Sequence, residues 1–257
     1  MYERDVGVSL RKLERTLTAI PGLDDILGGG LPRGRVILVL GEPGAGKTIL
    51  CSQFLLNGIQ KFREKGLFVS LEENKEHYSD EMSTFGWEIE SLEKTGHLSF
   101  IDASPIRSVP DEVQVGKISI GKSDFSLISL LEIVKNRAVS TGAQRIVIDP
   151  ISHLIFQYAD ATERRKAILD LVEALSKTGA TCLLASELAE VGGTGRRLQT
   201  EEYLVHGVIL MQTSSGKGHE RVIQVEKMRG TSIERAPRPY RITATGIEVY
   251  SKETLID

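Results

Sequence analysis

From residue 36 to about residue 187, short apolar runs rich in β-formers alternate with longer stretches of helical period, a pattern that predicts a parallel sheet covered by helices. The predicted strands are VILVL (36–40), LFVSL (67–71), LSFID (98–102), RIVID (145–149) and TCLLAS (181–186). Between them the spacing predicts helices over 47–64, 75–86, 125–140 and 162–177, followed by Gly66, Gly86, Gly142 and Gly179 as left-handed stops. In the last of these helices Ile168, Leu169, Val172 and Leu175 form the expected apolar stripe, and Arg164, Arg165 and Lys166 read as a solvated face. Beyond residue 187 the pattern changes to HGVILMQT, ERVIQVEKM and YRITATGIEVY, joined by the polar turns SSGKG and RGTSIERAPRP, which predicts antiparallel additions to the sheet. Residues 104–123 and 188–202 are rich in Pro, Gly and Ser, lack a period and are expected to be long loops. No internal repeat or low-complexity linker divides the chain, so a single domain over 19–257 is expected, preceded by an N-terminal arm over 1–18. In that arm Val6, Leu10, Leu13 and Leu17 have helical spacing and either fray or dock on a neighbouring subunit.

Composition adds bounds rather than detail. A chain of 257 residues, 40% hydrophobic and 26% charged, can bury a core without disulfides. Cys51 and Cys182 each sit in an apolar stretch and read as separate buried thiols. No apolar run approaches the ~20 residues of a membrane helix, and the acidic start lacks a signal core, so a cytoplasmic protein without membrane insertion is expected. The net charge of -3 gives no overall attraction to nucleic acid. The five histidines show no i, i+4 pairing and no nearby cysteine, which argues against zinc. Trp87 reads as packing the FGW turn.

Directly after the first predicted strand comes GEPGAGKT (41–48), which matches G-x-x-x-x-G-K-[ST] and opens a helical pattern. Gly41, Gly44 and Gly46 let backbone N–H groups curl around a phosphate, and the helix N-terminus adds its positive end. The candidate nucleotide-binding residues are therefore Gly41, Glu42, Pro43, Gly44, Ala45, Gly46, Lys47, Thr48 and Ile49. In this reading Lys47 reaches the β- and γ-phosphates and Thr48 ligates Mg2+. RIVIDP supplies Asp149 as the second magnesium residue, at the carboxyl end of a parallel strand where ligands of such sheets bind. LFVSLEEN offers Glu72 and Glu73 for orienting a water. If the backbone stays extended, alternation sends these carboxylates to opposite faces, one toward the γ-phosphate and one in support. Alternatively both begin the charged helix that follows, as acids favoured by its dipole. Spacing alone leaves the two readings open.

IPGLDDILGGGLPRG (20–34), GEPGAGKT, FVSLEEN, FGWEIESLEKTG (85–96), RIVIDPISHL (145–154) and VEKMRGTS (225–232) follow one another in the order and spacing of one family. The chain resembles the archaeal KaiC-like ATPases of the RecA superfamily over nearly its whole length. The resemblance implies an α/β fold of the RecA-like P-loop NTPase type, with a mostly parallel central sheet flanked by helices and C-terminal antiparallel strands. It also implies ATP and Mg2+ binding, slow hydrolysis and a homo-oligomeric ring, commonly a hexamer, with nucleotide between subunits. By position, the family's paired catalytic glutamates fall on Glu72 and Glu73, with Glu72 as the water-polarising base. Its Lys-x-Arg-Gly element falls on Lys227, Arg229 and Gly230, whose cations reach the γ-phosphate of the neighbouring subunit in similar proteins.

Some positions depart from the pattern. Glu202 and Tyr203 stand where the two-domain clock protein phosphorylates a Ser/Thr pair, which speaks against an autokinase role. His206 replaces a frequent acid and Pro150 a common serine. Arg196 and Arg197 lie in GGTGRRLQT, where recombinases of the superfamily place a DNA loop, but no interleaved aromatic accompanies them. The expected function is a Mg2+-dependent ATPase acting as a nucleotide-switched ring, with an unidentified protein partner. The alternatives are a non-catalytic ATP-gated scaffold and a recombinase-like DNA-dependent ATPase.

Overall fold

The structure is a computed structural model, and it describes residues 13–104, 112–115, 118–188, 198–213 and 221–253. Val6, Leu10, Arg196, Arg197, His219 and the SSGKG turn lie outside the described residues. In chain order the elements are β1 (Arg15–Thr16), α1 (Leu23–Ile26), β2 (Leu31–Pro32), β3 (Val36–Gly41), α2 (Lys47–Phe62), β4 (Gly66–Ser70), α3 (Lys75–Ser83), α4 (Ile89–Lys94) and β5 (Leu98–Asp102). There follow β6 (Glu112–Val115), β7 (Ile118–Gly121), α5 (Lys122–Thr141), β8 (Arg145–Asp149), α6 (Ser152–Ile155), α7 (Ala161–Lys177) and β9 (Thr181–Glu187). The chain continues with α8 (Thr200–Leu204), β10 (Gly207–Thr213), β11 (Arg221–Met228), β12 (Arg238–Thr243) and β13 (Gly246–Val249).

Nine strands form one sheet in the order β13-β12-β11-β10-β3-β9-β8-β4-β5. The six from β10 to β5 are parallel, and β11, β12 and β13 continue the sheet antiparallel. Every residue of β3, β4 and β8 is buried, as expected where helices cover both sheet faces. Alternation along β3 sends Ile37 and Val39 to a core shared with Leu50, Phe54 and Leu55 of α2. Val36, Leu38 and Leu40 face the opposite way, toward Leu130 and Val134 of α5 and Ile168, Leu171 and Leu175 of α7. Cys51 and Cys182 are free and buried, one in each layer. Trp87 is buried and stacks on Phe85 at 5.1 Å. No helix among the described residues is long and apolar enough to cross a membrane.

The structure corrects several sequence expectations. HGVILMQT is not an antiparallel addition, because β10 lies parallel to β3 with Gly207 opposite Ile37. Its five consecutive buried residues are the mark of a central strand rather than of an edge. YRITATGIEVY is two strands, β12 and β13, turned at Gly246, whose φ of 112° suits a residue without Cβ. The segment expected as a loop over 104–123 contains the β6–β7 hairpin, and α8 begins inside the one expected over 188–202. The stripe of α7 runs through Leu171, while Leu169 is 44% exposed: positions 168, 171, 172 and 175 lie on one helical face and 169 is rotated off it. Gly86, Gly142 and Gly179 take the left-handed stops, but α2 is ended by Arg63 (φ 56°). Gly66 instead opens β4, where an added Cβ would stand 2.9 Å from Leu55 Cγ.

The end of the sheet remote from its carboxyl edge is held by Arg145, a residue with no role in the sequence reading. Its guanidinium is 1% exposed and donates to Glu64 Oε2 (2.5 Å) and to the carbonyls of Phe54 (2.7 Å) and Leu17 (2.8 Å). Gly58 of α2 makes room for it, since a Cβ there would stand 2.2 Å from Arg145 Nε. Gly58→Ala would gain up to about 1 kcal/mol at an ordinary helical site. Here the methyl displaces a buried charge from its partners, and we expect a net loss of about 2–4 kcal/mol, read as a lower urea midpoint.

Candidate functional site

The loop between β3 and α2 is shaped by glycines at positive φ, 77° at Gly44 and 89° at Gly46. Gly46 is the N-cap of α2 and makes no side-chain capping bond, so the helix presents its first-turn N–H groups to the hollow of the loop. Gly41 is required by a close approach, as its Cβ would lie 2.5 Å from the Met211 carbonyl of β10. Lys47 Nζ folds back to donate to the Gly41 and Glu42 carbonyls, both at 3.0 Å. Burial lowers its pKa, against the carboxylates of Asp149, Glu187 and Glu72, which raise it. Pro43 and Gly44 are exposed, and the half-buried Ile49 packs against the α2 core. Glu42 accepts from the Thr213 amide at 3.3 Å, which ties the loop to β10.

Asp149 ends β8 beside this loop and is 7% exposed. Burial pushes its pKa up to about 6, opposed by a hydrogen bond with the Thr48 hydroxyl and by the Lys47 charge. Thr48, Ser70, Glu72, Glu73, Asp149 and Pro150 line one cleft. Asp149 and Thr48 are hard oxygen donors already in contact, a pair that suits Mg2+, which completes its shell with phosphate oxygens and water. No cluster of three or more His, Cys, Asp or Glu placed to hold an ion occurs among the described residues.

The two glutamates are not divided between opposite faces. β4 stops at Ser70, whose hydroxyl donates to the Glu73 carbonyl (2.5 Å) and accepts from the Glu73 amide (3.1 Å). That turn ends the extended backbone on which alternation depends, and both side chains line the same cleft. Neither starts the next helix: Asn74 caps α3 by accepting from the His77 amide, and Glu76 is its first-turn acid. Glu72 is exposed, whereas Glu73 is half-buried with its pKa raised by burial and by the nearby Glu81, Glu72 and Asp149. Sequence reasoning missed Glu187, which ends β9 opposite Gly41 and acts electrostatically on Lys47. Its signal was the same as that of Asp149, an acid closing an apolar strand.

A family model described as "ATPase: KaiC" matches residues 16–254. The chain belongs to the KaiC ATPase family. It is 33% identical over 242 residues to the circadian clock oscillator protein KaiC of Parathermosynechococcus lividus, covering 94% of this chain and 43% of that protein. Its identity to the KaiC of Synechococcus elongatus is 35% over 234 residues, covering 91% and 43%. The chain thus spans less than half the length of these curated relatives. A crystal structure of a KaiC-like protein from Pyrococcus horikoshii OT3 superposes with a TM-score of 0.77 at 29% identity, covering 93% of this chain and 100% of that one. The fold is therefore the RecA-type fold of KaiC-like proteins.

Two of the candidate residues in this KaiC-family chain are not at the cleft. β11 carries a bulge: Ile209 pairs with Val225, but Val208 pairs with Lys227, so Glu226 is the extra residue. Val225 faces the α2 layer. Without the bulge Lys227, two positions on, would face the same way; with it, Lys227 turns to the opposite layer beside Val208. There its Nζ donates to the carbonyls of Glu202 (2.7 Å), Tyr203 (3.1 Å) and Val205 (2.8 Å), and Arg229 Nη2 donates to Tyr203 O (3.0 Å). Both cations cap the C-terminus of α8, favourable to its dipole. Burial, then the Arg229 charge, lowers the Lys227 pKa. Glu202 is buried and accepts from the Gln199 amide, while Tyr203 is 56% exposed. His206 Nδ1 accepts from the Val36 amide at 3.2 Å, and burial followed by the Arg35 and Arg229 charges lowers its pKa.

The elevated Asp149 pKa carries a sign. Folded Asp149 keeps its proton to about pH 6, whereas an unfolded aspartate releases it near ~3.9. The ligand-free protein therefore loses stability as pH rises through that window. Asp149→Asn is expected to raise ligand-free stability by on the order of 2 kcal/mol at neutral pH and to change little near pH 4. Denaturant midpoints of both proteins across this range check it.

Proposed function

We propose that this chain is a Mg2+-dependent ATPase that assembles as a homo-oligomeric ring and hydrolyses ATP in sites shared between adjacent subunits. The observation that carries the reading is the opposed placement of the two halves. Thr48, Glu72 and Asp149 line one cleft, with Lys47 of the adjoining glycine loop close enough to interact with both carboxylates, while the bulge turns Lys227 to the far layer of the sheet with Arg229. A cation so placed serves a phosphate of another copy more readily than one of its own.

In this mechanism the loop amides hold the β-phosphate, and Lys47 leaves the Gly41 and Glu42 carbonyls for the β- and γ-phosphates. Thr48 and Asp149 hold Mg2+, which neutralises charge on the phosphate oxygens. Glu72, the more exposed of the pair, aligns a water for in-line attack on the γ-phosphorus and takes its proton. The bond between that phosphorus and the bridging oxygen breaks, and ADP leaves with the electron pair. Glu73 stays near Ser70 as support. Lys227 and Arg229 of the adjacent copy stabilise the charge that spreads over the phosphoryl oxygens. The chemistry needs no membrane and no nucleic acid. The biological outcome is a nucleotide-dependent change of subunit contacts read by a protein partner.

Lys47→Ala and Arg229→Ala proteins, each inactive alone, are expected to recover part of their turnover when mixed, because some interfaces then join two intact halves. Mixed rings without activity at any ratio would sink the shared site. Glu72→Gln should slow single-turnover hydrolysis by about 10²–10³-fold while leaving ATP affinity within about threefold. Equal single-turnover rates would favour a scaffold that only binds ATP.

A further inference from the structure

Behind the glycine loop, on the side away from the cleft, stands the C-terminal β12–β13 hairpin. The Tyr240 hydroxyl donates to the Ala45 carbonyl at 2.5 Å. Both residues are 2% exposed, so each group would be orphaned from water without the other. Gly46 abuts the same hairpin: an added Cβ would stand 2.9 Å from Ile242 Cδ1. Two turns further along α2, Gln53 holds both backbone groups of Ile247, accepting from its amide (2.7 Å) and donating to its carbonyl (3.2 Å). The loop therefore rests on a fixed strand and not on solvent.

A trans peptide is planar, and its carbonyl and amide point in opposite directions. Ala45 is joined to Gly46 by one such unit. Fixing the Ala45 carbonyl toward Tyr240 aims the Gly46 N–H away from the hairpin and into the hollow where the helix N-terminus also points. Gly46 leaves this peptide otherwise free to rotate, since its φ, the torsion on one side of the unit, accepts either sign. We propose that Tyr240 is a positioning residue for the phosphate site, its hydroxyl locking the Ala45–Gly46 peptide so that the Gly46 amide is preset for a phosphate oxygen. Burial pushes the Tyr240 pKa up to about 12, so the hydroxyl stays a donor at neutral pH. The ligand concerned is the polyphosphate part of a nucleotide, whatever its base. The proposal rests on the reading of the glycine loop as the nucleotide site.

Calorimetric binding of ATP and of inorganic tripolyphosphate, each with Mg2+, tests it on the full chain. Tyr240→Phe removes only the hydroxyl, and we expect about tenfold weaker binding of both probes, with KM raised by a similar factor and kcat within about threefold. Gln53→Ala is the control for mere structural support, because it cuts both bonds to Ile247 without touching Ala45. The proposal predicts a lower melting temperature for Gln53→Ala with affinity within about twofold, and the loss of affinity confined to Tyr240→Phe. Affinity falling in step with melting temperature across the two variants would overturn it. Unchanged affinity in Tyr240→Phe would overturn it too, as would a loss for ATP but not for tripolyphosphate, which would move the effect to the base. Should Tyr240→Phe fail to fold, 3-fluorotyrosine placed at position 240 keeps the donor and is expected to bind both probes as the wild type does; a tenfold loss there would refute the role. If the wild-type protein binds neither probe, the nucleotide reading itself fails, a result distinct from a wild type that binds and a variant that matches it.

Discussion

The core of this molecule is a sheet buried on both faces, and that burial decides where the chemistry stands. Parallel strands are joined by crossover helices that cover both faces of the sheet, and they bring all their carboxyl ends to one edge. β3 ends at the glycine loop, β8 at Asp149, β9 at Glu187 and β4 at the Ser70 turn. Four segments far apart in sequence thus deliver a helix N-terminus, a lysine and several carboxylates to one cleft. The Leu71 amide donates to the Asp149 carbonyl at 2.8 Å, so the glutamate turn and the aspartate strand remain in register beyond the last sheet pairing. Burial at this edge raises the Asp149 pKa and lowers that of Lys47, while their attraction for each other opposes both shifts; desolvated charges kept together in a cleft are a usual mark of a ligand site.

The same sheet carries a second device at its antiparallel end. One extra residue, Glu226, moves Lys227 from one face of the sheet to the other. The lysine then spends its ammonium protons on the last carbonyls of α8, and Arg229 joins it. α8 is short, and its opposite end is tied to β9 by Gln199 Nε2 donating to the Glu187 carbonyl at 3.2 Å. One small helix therefore touches both the strand that closes the cleft and the cations on the far layer. A change at either end has a direct covalent and hydrogen-bonded route to the other.

Most of the parallel core was legible from residue pattern. The runs at 36–40, 98–102 and 145–149 fall within β3, β5 and β8, because apolar continuity between glycine stops is a local signal of two-sided burial. β10 carries that same signal, but the polar turns that join it to the runs after it pointed to antiparallel pairing throughout. The loop residues and Asp149 were legible for a related reason: spacing in a glycine motif and an acid after an aliphatic run are properties of contiguous sequence. What the sequence hid was long-range. Nothing near Ser70 announces that its side chain folds back on Glu73, and nothing near residue 226 announces a bulge, since a bulge exists only relative to a partner strand. Arg145 was invisible for the same reason, because its partners at 17, 54 and 64 are gathered by the fold.

The tyrosine that backs the glycine loop lies 195 residues downstream of the carbonyl it holds. On a ribosome, β3, the loop and α2 emerge long before their support. Even after β9 and β10 have emerged to flank β3, the Ala45–Gly46 unit has no partner to fix it until β12 follows. Nascent chains halted before β12 would therefore carry the whole glycine motif and still capture polyphosphate poorly, so that affinity for the ligand becomes a report on completed synthesis.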